Sequence, residues 1–157
     1  MYYSETGNTE KLARKIADLT DSNMYEIEPL KPYDKSDLNY DNENSKIYDQ
    51  IHNKKYVAIK RIEIDLEKYD RIYIGFPIHW GDLPRTIAYF GNQYDFTNVE
   101  IIPFATSKRS RIYVAQASIR ENFNSKKIYE GKRFSADVDE KKLKERLFLL
   151  DKRKISH

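Results

Sequence analysis

The chain has 157 residues, 39% of them hydrophobic, 34% charged and 13% aromatic, with a formal net charge of +3 and no cysteine. This length fits one domain, 1–157, that buries a core without staples. The aromatic content excludes a disordered chain, and the lack of cysteine excludes a disulfide scaffold, a zinc–thiolate site, an iron–sulfur cluster and a cysteine nucleophile.

Residues 1–3, Met1-Tyr2-Tyr3, form an extended stub. A hydroxyl-rich loop follows, Ser4-Glu5-Thr6-Gly7-Asn8-Thr9. Leu12, Ala13, Ile16 and Ala17 then recur at helical spacing and predict a helix over 9–20, with Asn8 as its N-cap. Tyr25-Glu26-Ile27-Glu28 alternates and stops at Pro29, which predicts a short strand. Residues 30–63 are polar and too long for a simple loop, and we expect a helix near 40–52. Arg71-Ile72-Tyr73-Ile74-Gly75-Phe76 is a β-branched and aromatic strand ending at Pro77. Pro84 suits a first helical position, with Ile87, Phe90 and Tyr94 on one face. The run from Val99 to Ala105 predicts another strand, with Pro103 placed near its end because proline cannot donate to a ladder. A helix over 113–122, a short strand at Lys127-Ile128-Tyr129, and a helix opened by an Asp137/Glu140 capping box complete the chain. The tail after Asp151 is expected to fray. Alternating strands and helices imply an α/β fold, a parallel sheet covered on both faces.

No apolar run reaches the roughly 18 residues of a membrane span. The opening residues lack the basic and apolar regions of a signal peptide, so the expected location is cytoplasmic. The charge is uneven. Residues 103–157 carry 15 Lys and Arg against 7 Asp and Glu, a net of +8, which leaves −5 for the rest. Such a segment is either a solvated surface rich in lysine or a contact for an acidic partner. Nucleic-acid binding is disfavoured by the lack of a recognisable motif or aromatic-interleaved stripe.

Three loops follow strand ends, at 4–9, 77–83 and 106–111. In an open parallel sheet, ligands sit outside the carboxyl ends of the strands. Loop 4–9 offers the hydroxyls of Ser4, Thr6 and Thr9, the Asn8 amide and a flexible Gly7 ahead of a helix N-terminus. That composition suits a phosphate held by neutral donors; it also suits an ordinary capping turn. The second loop holds the chain's one tryptophan, Trp80, which either stacks on a ligand ring or packs on its own helix. His79 beside it can stack, donate a hydrogen bond or face solvent.

Taken together, these residues resemble a bacterial subgroup of the flavodoxin-like family. Residues 2–13 resemble the family's phosphate loop and first helix. Tyr25-Glu26-Ile27-Glu28-Pro29, Pro32-Tyr33 and Asp37-Leu38-Asn39-Tyr40 are similar to its variable segment. Residues 69–78, Trp80-Gly81, Pro84-Arg85, Tyr94-Asp95-Phe96, Ile101-Ile102-Pro103-Phe104 and Thr106-Ser107 continue the match in register to about residue 135. The resemblance implies a five-stranded doubly wound parallel sheet of order 2-1-3-4-5 that binds FMN. It implies a phosphate loop at Ser4, Glu5, Thr6, Gly7, Asn8 and Thr9, a flavin-stacking loop at Pro77, Ile78, His79, Trp80 and Gly81, and a second flavin loop at Thr106, Ser107 and Ser110. The implied activity is that of an oxidoreductase or electron carrier working with a redox partner protein or a small quinone or nitro-type acceptor. No side chain is required as an acid, base or nucleophile, because the flavin carries the electron chemistry.

The chain departs from the subgroup's pattern at three places. His79-Trp80 stands where the subgroup has paired tryptophans. Lys108, Arg109 and Arg111 stand where its second flavin loop has glycines, so cations either tune reduced flavin or block the pocket. The family's first, central strand is reduced to Met1-Tyr2-Tyr3, an arrangement expected to leave buried backbone groups unpaired. This implies either a misassigned start at Met1 or a degenerate domain that has lost flavin and acts as a binding module or not at all.

Overall fold

The two strongest apolar runs of the sequence pair with each other at the centre of the sheet. In a computed structural model, which describes every residue except 40, 108, 109, 156 and 157 and no side chain from 148 onward, β1 (Arg71–Pro77) lies parallel to β2 (Glu100–Thr106). Their register runs from Arg71 opposite Glu100 to Pro77 opposite Thr106. β2 also pairs in parallel with β3 (Lys127–Ile128) and β4 (Lys132–Phe134) along its other edge. Side chains of β1 and β2 alternate between two cores. Ile72, Ile74, Phe76 and Ile101 join one cluster, and Ile102 and Phe104 join the other.

Helices cover both faces. α1 (Asn8–Thr20) and α5 (Glu140–Ile155) pack together, and Leu12, Ala13, Ile16, Leu143 and Leu147 bury against Ile102 and Phe104. α3 (Arg85–Gln93) and α4 (Tyr113–Asn122) pair on the opposite face, where Ile87, Phe90, Ala115 and Ile119 meet β1. Phe90, Phe96 and Phe123 form an aromatic contact at that end, with ring centroids 4.9–6.1 Å apart. No described helix is long and apolar enough to cross a membrane.

The stub holds a place inside the sheet. Tyr2 forms parallel bridges to both Glu26 and Gly75. Tyr2 N donates to Tyr25 O (3.0 Å) and Ile27 N donates to Tyr2 O (2.7 Å) on one side. Gly75 N donates to Met1 O and Tyr3 N to Gly75 O, both at 3.0 Å, on the other. All three residues of the stub are paired, so the expected loss of backbone pairing is not found among them. The expected strand at 25–28 is present as these bonds and an antiparallel bridge from Pro29 to Ile59.

Four local expectations are corrected. The N-cap of α1 is Gly7, at φ 90, and Asn8 is the first helical residue; Ser4 Oγ accepts from Gly7 N and Glu10 N and closes the turn that Asn8 was expected to cap. The helix expected over 40–52 is α2 (Lys46–His52), capped by Ser45 Oγ. Ahead of it, Asn39 and Asn42 take nearby amides with their own side chains and compete with helix formation. α5 is capped by Asp139, which accepts from Lys142 N at 2.8 Å, not by Asp137. Its backbone is helical through Ile155.

Pro103 is the fourth. It sits in the middle of β2, opposite Ile74, not at the strand's end. Tyr129 N donates to Ile101 O, so residue 101, and by alternation residue 103, turns its backbone toward β3 and β4. The missing donor of Pro103 thus falls opposite the break between those two strands. Gln116, 4% exposed, fills the break: its Nε2 donates to Tyr129 O (2.9 Å) and its Oε1 accepts from Gly131 N (2.7 Å). One buried amide side chain replaces the ladder that proline interrupts.

Candidate functional site

Parallel register brings the loops to one rim. Those after Pro77 and Thr106 leave adjacent strands side by side. Tyr3, bonded to Gly75, delivers the 4–9 loop to the same end. Phe134, paired with Thr106, delivers residues 135–137 there as well. Between them opens a cleft of about 720 Å³ lined by Glu5, Thr6, Asn8, Thr9, Pro77, Ile78, Trp80, Thr106, Ser107, Ser110, Ser135, Ala136 and Asp137.

Loop 4–9 turns on Gly7, whose φ of 90 favours glycine. Thr6, Gly7 and Asn8 are exposed at the N-terminus of α1. The first-turn amides of a helix have no acceptor within it, and they carry the positive end of its dipole. Thr9 Oγ1 bonds Thr106 Oγ1 at 2.8 Å in the interior and ties this loop to the end of β2.

Loop 77–83 is a tight hairpin. His79 N donates to Asp82 O (2.9 Å) and Asp82 N to His79 O (2.8 Å). The two central residues both have positive φ, 45 for Trp80 and 79 for Gly81, which is the type I′ geometry. Gly81 adopts it freely, while Trp80 carries a cost of about 1–2 kcal/mol. Asp82 Oδ1 accepts from Leu83 N and from Ser118 Oγ, so α4 braces the turn. Trp80, 39% exposed, stands at the rim with its ring edge-on to Tyr48 and His52 of α2, at 5.4 and 5.1 Å.

His79 points the other way. It is buried, and its Nε2 lies 2.6 Å from Glu5 Oε1. Tyr3 OH donates to the same oxygen at 2.7 Å. Of the roles open to His79, the hydrogen bond is the one found, and it joins the second loop to the first beneath the cleft. On the far side, Ser107 Oγ accepts from Ser110 N (2.8 Å), and an Arg133 guanidinium N–H donates to Ser107 O (2.9 Å). α1 clamps the last loop: Lys11 Nζ meets Asp137 Oδ1 at 2.9 Å, and Lys15 Nζ donates to Ala136 O and Val138 O. The Lys11 ammonium holds the Asp137 carboxyl below its usual range.

Ten of the fourteen residues expected at the site therefore line one cleft. Ser4, Gly7, His79 and Gly81 do not; they shape the loops from behind. Lys108 and Arg109, expected to tune or block the pocket, lie outside the described residues. Sequence reasoning missed Ser135, Ala136 and Asp137. Their signal was the one that marked loop 4–9, small and polar residues directly after a strand, but the short β4 was not anticipated. It also missed Tyr48 and His52, which stack on each other at 3.8 Å beside Trp80.

Comparison with known proteins supplies the family. No curated protein matches the chain. A solved structure from Bacteroides eggerthii, classed as a flavoprotein, shares 29% identity with a TM-score of 0.85, covering 96% of this chain and 94% of that one. A second from Bacteroides uniformis shares 33% with a TM-score of 0.83, covering 93% and 94%. The crystal structure of a Lactobacillus acidophilus flavoprotein in complex with FMN shares 27% with a TM-score of 0.66, covering 84% and 89%. A family model described as flavodoxin matches residues 1–148. With its parallel sheet and two helical layers, the chain belongs to the flavodoxin family.

Proposed function

We propose that the protein binds FMN in the cleft at the carboxyl ends of the strands and uses it to carry electrons. The observation that carries the reading is the convergence on one cleft of a helix-N-terminal loop suited to phosphate and a loop that presents Trp80. The cleft's volume, about 720 Å³, lies within the range of pockets that enclose small cofactors. Its lining is chemically apt. The Asn8 and Thr9 amides at the helix N-terminus and the Thr6 hydroxyl would meet a phosphate without a buried cation, and Pro77, Ile78 and Trp80 would supply apolar surface for a ring. Lys11 already meets the Asp137 carboxylate, so an entering anion does not face an unpaired negative charge there.

Bound FMN supplies the electron chemistry. The chain's own work is to hold and shield it. Thr6, Asn8 and Thr9 would hold the phosphate end, Trp80 would offer a face to the ring, and Thr106, Ser107 and Ser110 would offer polar contacts. Glu5, fixed by Tyr3 and His79, keeps the two loops in register. The cleft opens to solvent at Trp80, where a redox partner protein or a small quinone or nitro-type acceptor would approach.

The protein is incubated with excess FMN and desalted. Retained flavin absorbance at near-equimolar ratio supports the proposal, and a folded but colourless protein overturns it. Trp80→Gly separates cover from fold: relief of the positive-φ strain keeps or raises stability, while flavin retention falls.

A further inference from the structure

A second cleft opens beside α2, on a surface that flavin binding leaves unused. Residues 28–30 and 58–60 pair antiparallel. Leu30 N donates to Ala58 O (2.8 Å), Lys60 N donates to Glu28 O (2.9 Å), and Pro29 bridges Ile59. Between this pair and the Lys46 and Gln50 side of α2 lies a cleft of about 210 Å³. It shares no lining residue with the cleft that holds Trp80.

Its walls are apolar and aromatic. Leu30 and Tyr56, both 57% exposed, leave large apolar side chains uncovered there, and Tyr33 stands with them. The Tyr56 ring is held from behind. The Arg85 guanidinium lies 5.2 Å from its centroid and donates to Lys55 O (2.8 Å) and Lys54 O (3.1 Å), and Tyr56 OH donates to Asn122 Oδ1 at 3.3 Å. The wall is therefore preformed.

The polar lining is made of donors. Gln50 is 9% exposed, and its Oε1 accepts from Tyr33 OH at 2.5 Å. Burial and the charge of Glu5 hold that phenol above its usual range, so it stays a neutral donor and keeps the amide oxygen turned toward it. Gln50 Nε2, on the other side of the amide, has no partner among the described residues. A donor that deeply buried is costly until an acceptor meets it. Three lysines and no carboxylate line the cleft. Lys55 is paired with Asp49. Lys46 Nζ lies 6.0 Å from the centroid of the Tyr33 ring, and Lys31 is exposed. An unpaired amide donor flanked by ammonium groups suits an anionic oxygen, which gains charge-assisted bonds from both. Aromatic walls suit a ring. The volume falls below that of pockets for drug-sized ligands, which limits the occupant to about one ring.

We propose that this cleft binds a small aromatic carboxylate. The carboxylate meets Gln50 Nε2 and the Lys31 and Lys46 ammonium groups, and the ring lies against Leu30, Tyr33 and Tyr56. The proposal does not depend on flavin, and the two sites are tested independently.

The probe is benzoate, titrated into the isotope-labelled full chain and followed by nuclear magnetic resonance through the Gln50 side-chain amide signals. Saturable shifts are expected, with a dissociation constant of about 1 mM or tighter. Benzamide, which has no charge, and acetate, which has no ring, are each expected to bind about tenfold more weakly. Lys31→Glu combined with Lys46→Glu reverses two exposed charges. That chain is expected to keep its circular dichroism spectrum and to bind benzoate at least about tenfold more weakly. Tyr33→Phe combined with Gln50→Leu removes the donor without leaving a phenol unpaired, and is expected to fold and to lose binding. Absence of saturable shifts at the Gln50 amide, equal affinity for benzoate and either analogue, or undiminished binding by either double variant would each overturn the proposal.

Discussion

Glu5 offers the sharpest test of how the two loops are held together. Its Oε1 accepts from Tyr3 OH at 2.7 Å and faces His79 Nε2 at 2.6 Å. The side chains of His79 and Glu5 are 1% and 6% exposed, so water cannot readily replace either contact. Glu5→Ala removes the oxygen that both groups share. Each buried polar group left without its partner costs about 1–3 kcal/mol, which gives roughly 2–6 kcal/mol for the pair. In a chain of this size each kcal/mol moves the melting midpoint by about 2–4 °C, so a fall of roughly 4–24 °C is expected. Glu5→Gln retains an acceptor oxygen and costs about 1 kcal/mol. A double-mutant cycle in urea with Glu5→Leu and His79→Leu shows coupling, because removing both polar groups costs less than the two single changes added. A Glu5→Ala cost under about 0.5 kcal/mol, or strict additivity in the cycle, would refute the reasoning.

Gln116→Leu leaves Tyr129 O and Gly131 N without the side chain that bridges the interrupted sheet edge. It is expected to cost about 2–5 kcal/mol in urea unfolding, with faster amide exchange at Gly131.

The elements with strong periodicity were legible from the residues. α1 and α3 follow from apolar spacing and the central pair β1 and β2 from runs of β-branched and aromatic residues, because one face or both must be buried. What escaped was decided by partners distant in sequence. Pro103 reads as a strand end, since nothing nearby reveals that Gln116 bridges the gap it faces. Asp137 and Asp139 are equally good caps by composition, and Lys11 claims the first, leaving the second to cap α5. His79 reads as a flavin neighbour by position, yet a buried carboxylate from the first loop draws it inward. The three site loops could be named because strand ends locate them. The fourth, 135–137, depends on a three-residue strand too short to show a period.

The central claim is that loop 4–9 holds a phosphate while the cleft holds a flavin ring. Equilibrium titration of the protein with FMN and with riboflavin, followed by quenching of flavin fluorescence, tests it most directly. The two ligands share the ring and differ in the phosphate. The account predicts saturable binding of FMN, with riboflavin weaker by about a hundredfold, since charge-assisted bonds from several first-turn amides are lost. Equal affinity for the two, or no quenching by either with a folded protein, would contradict it.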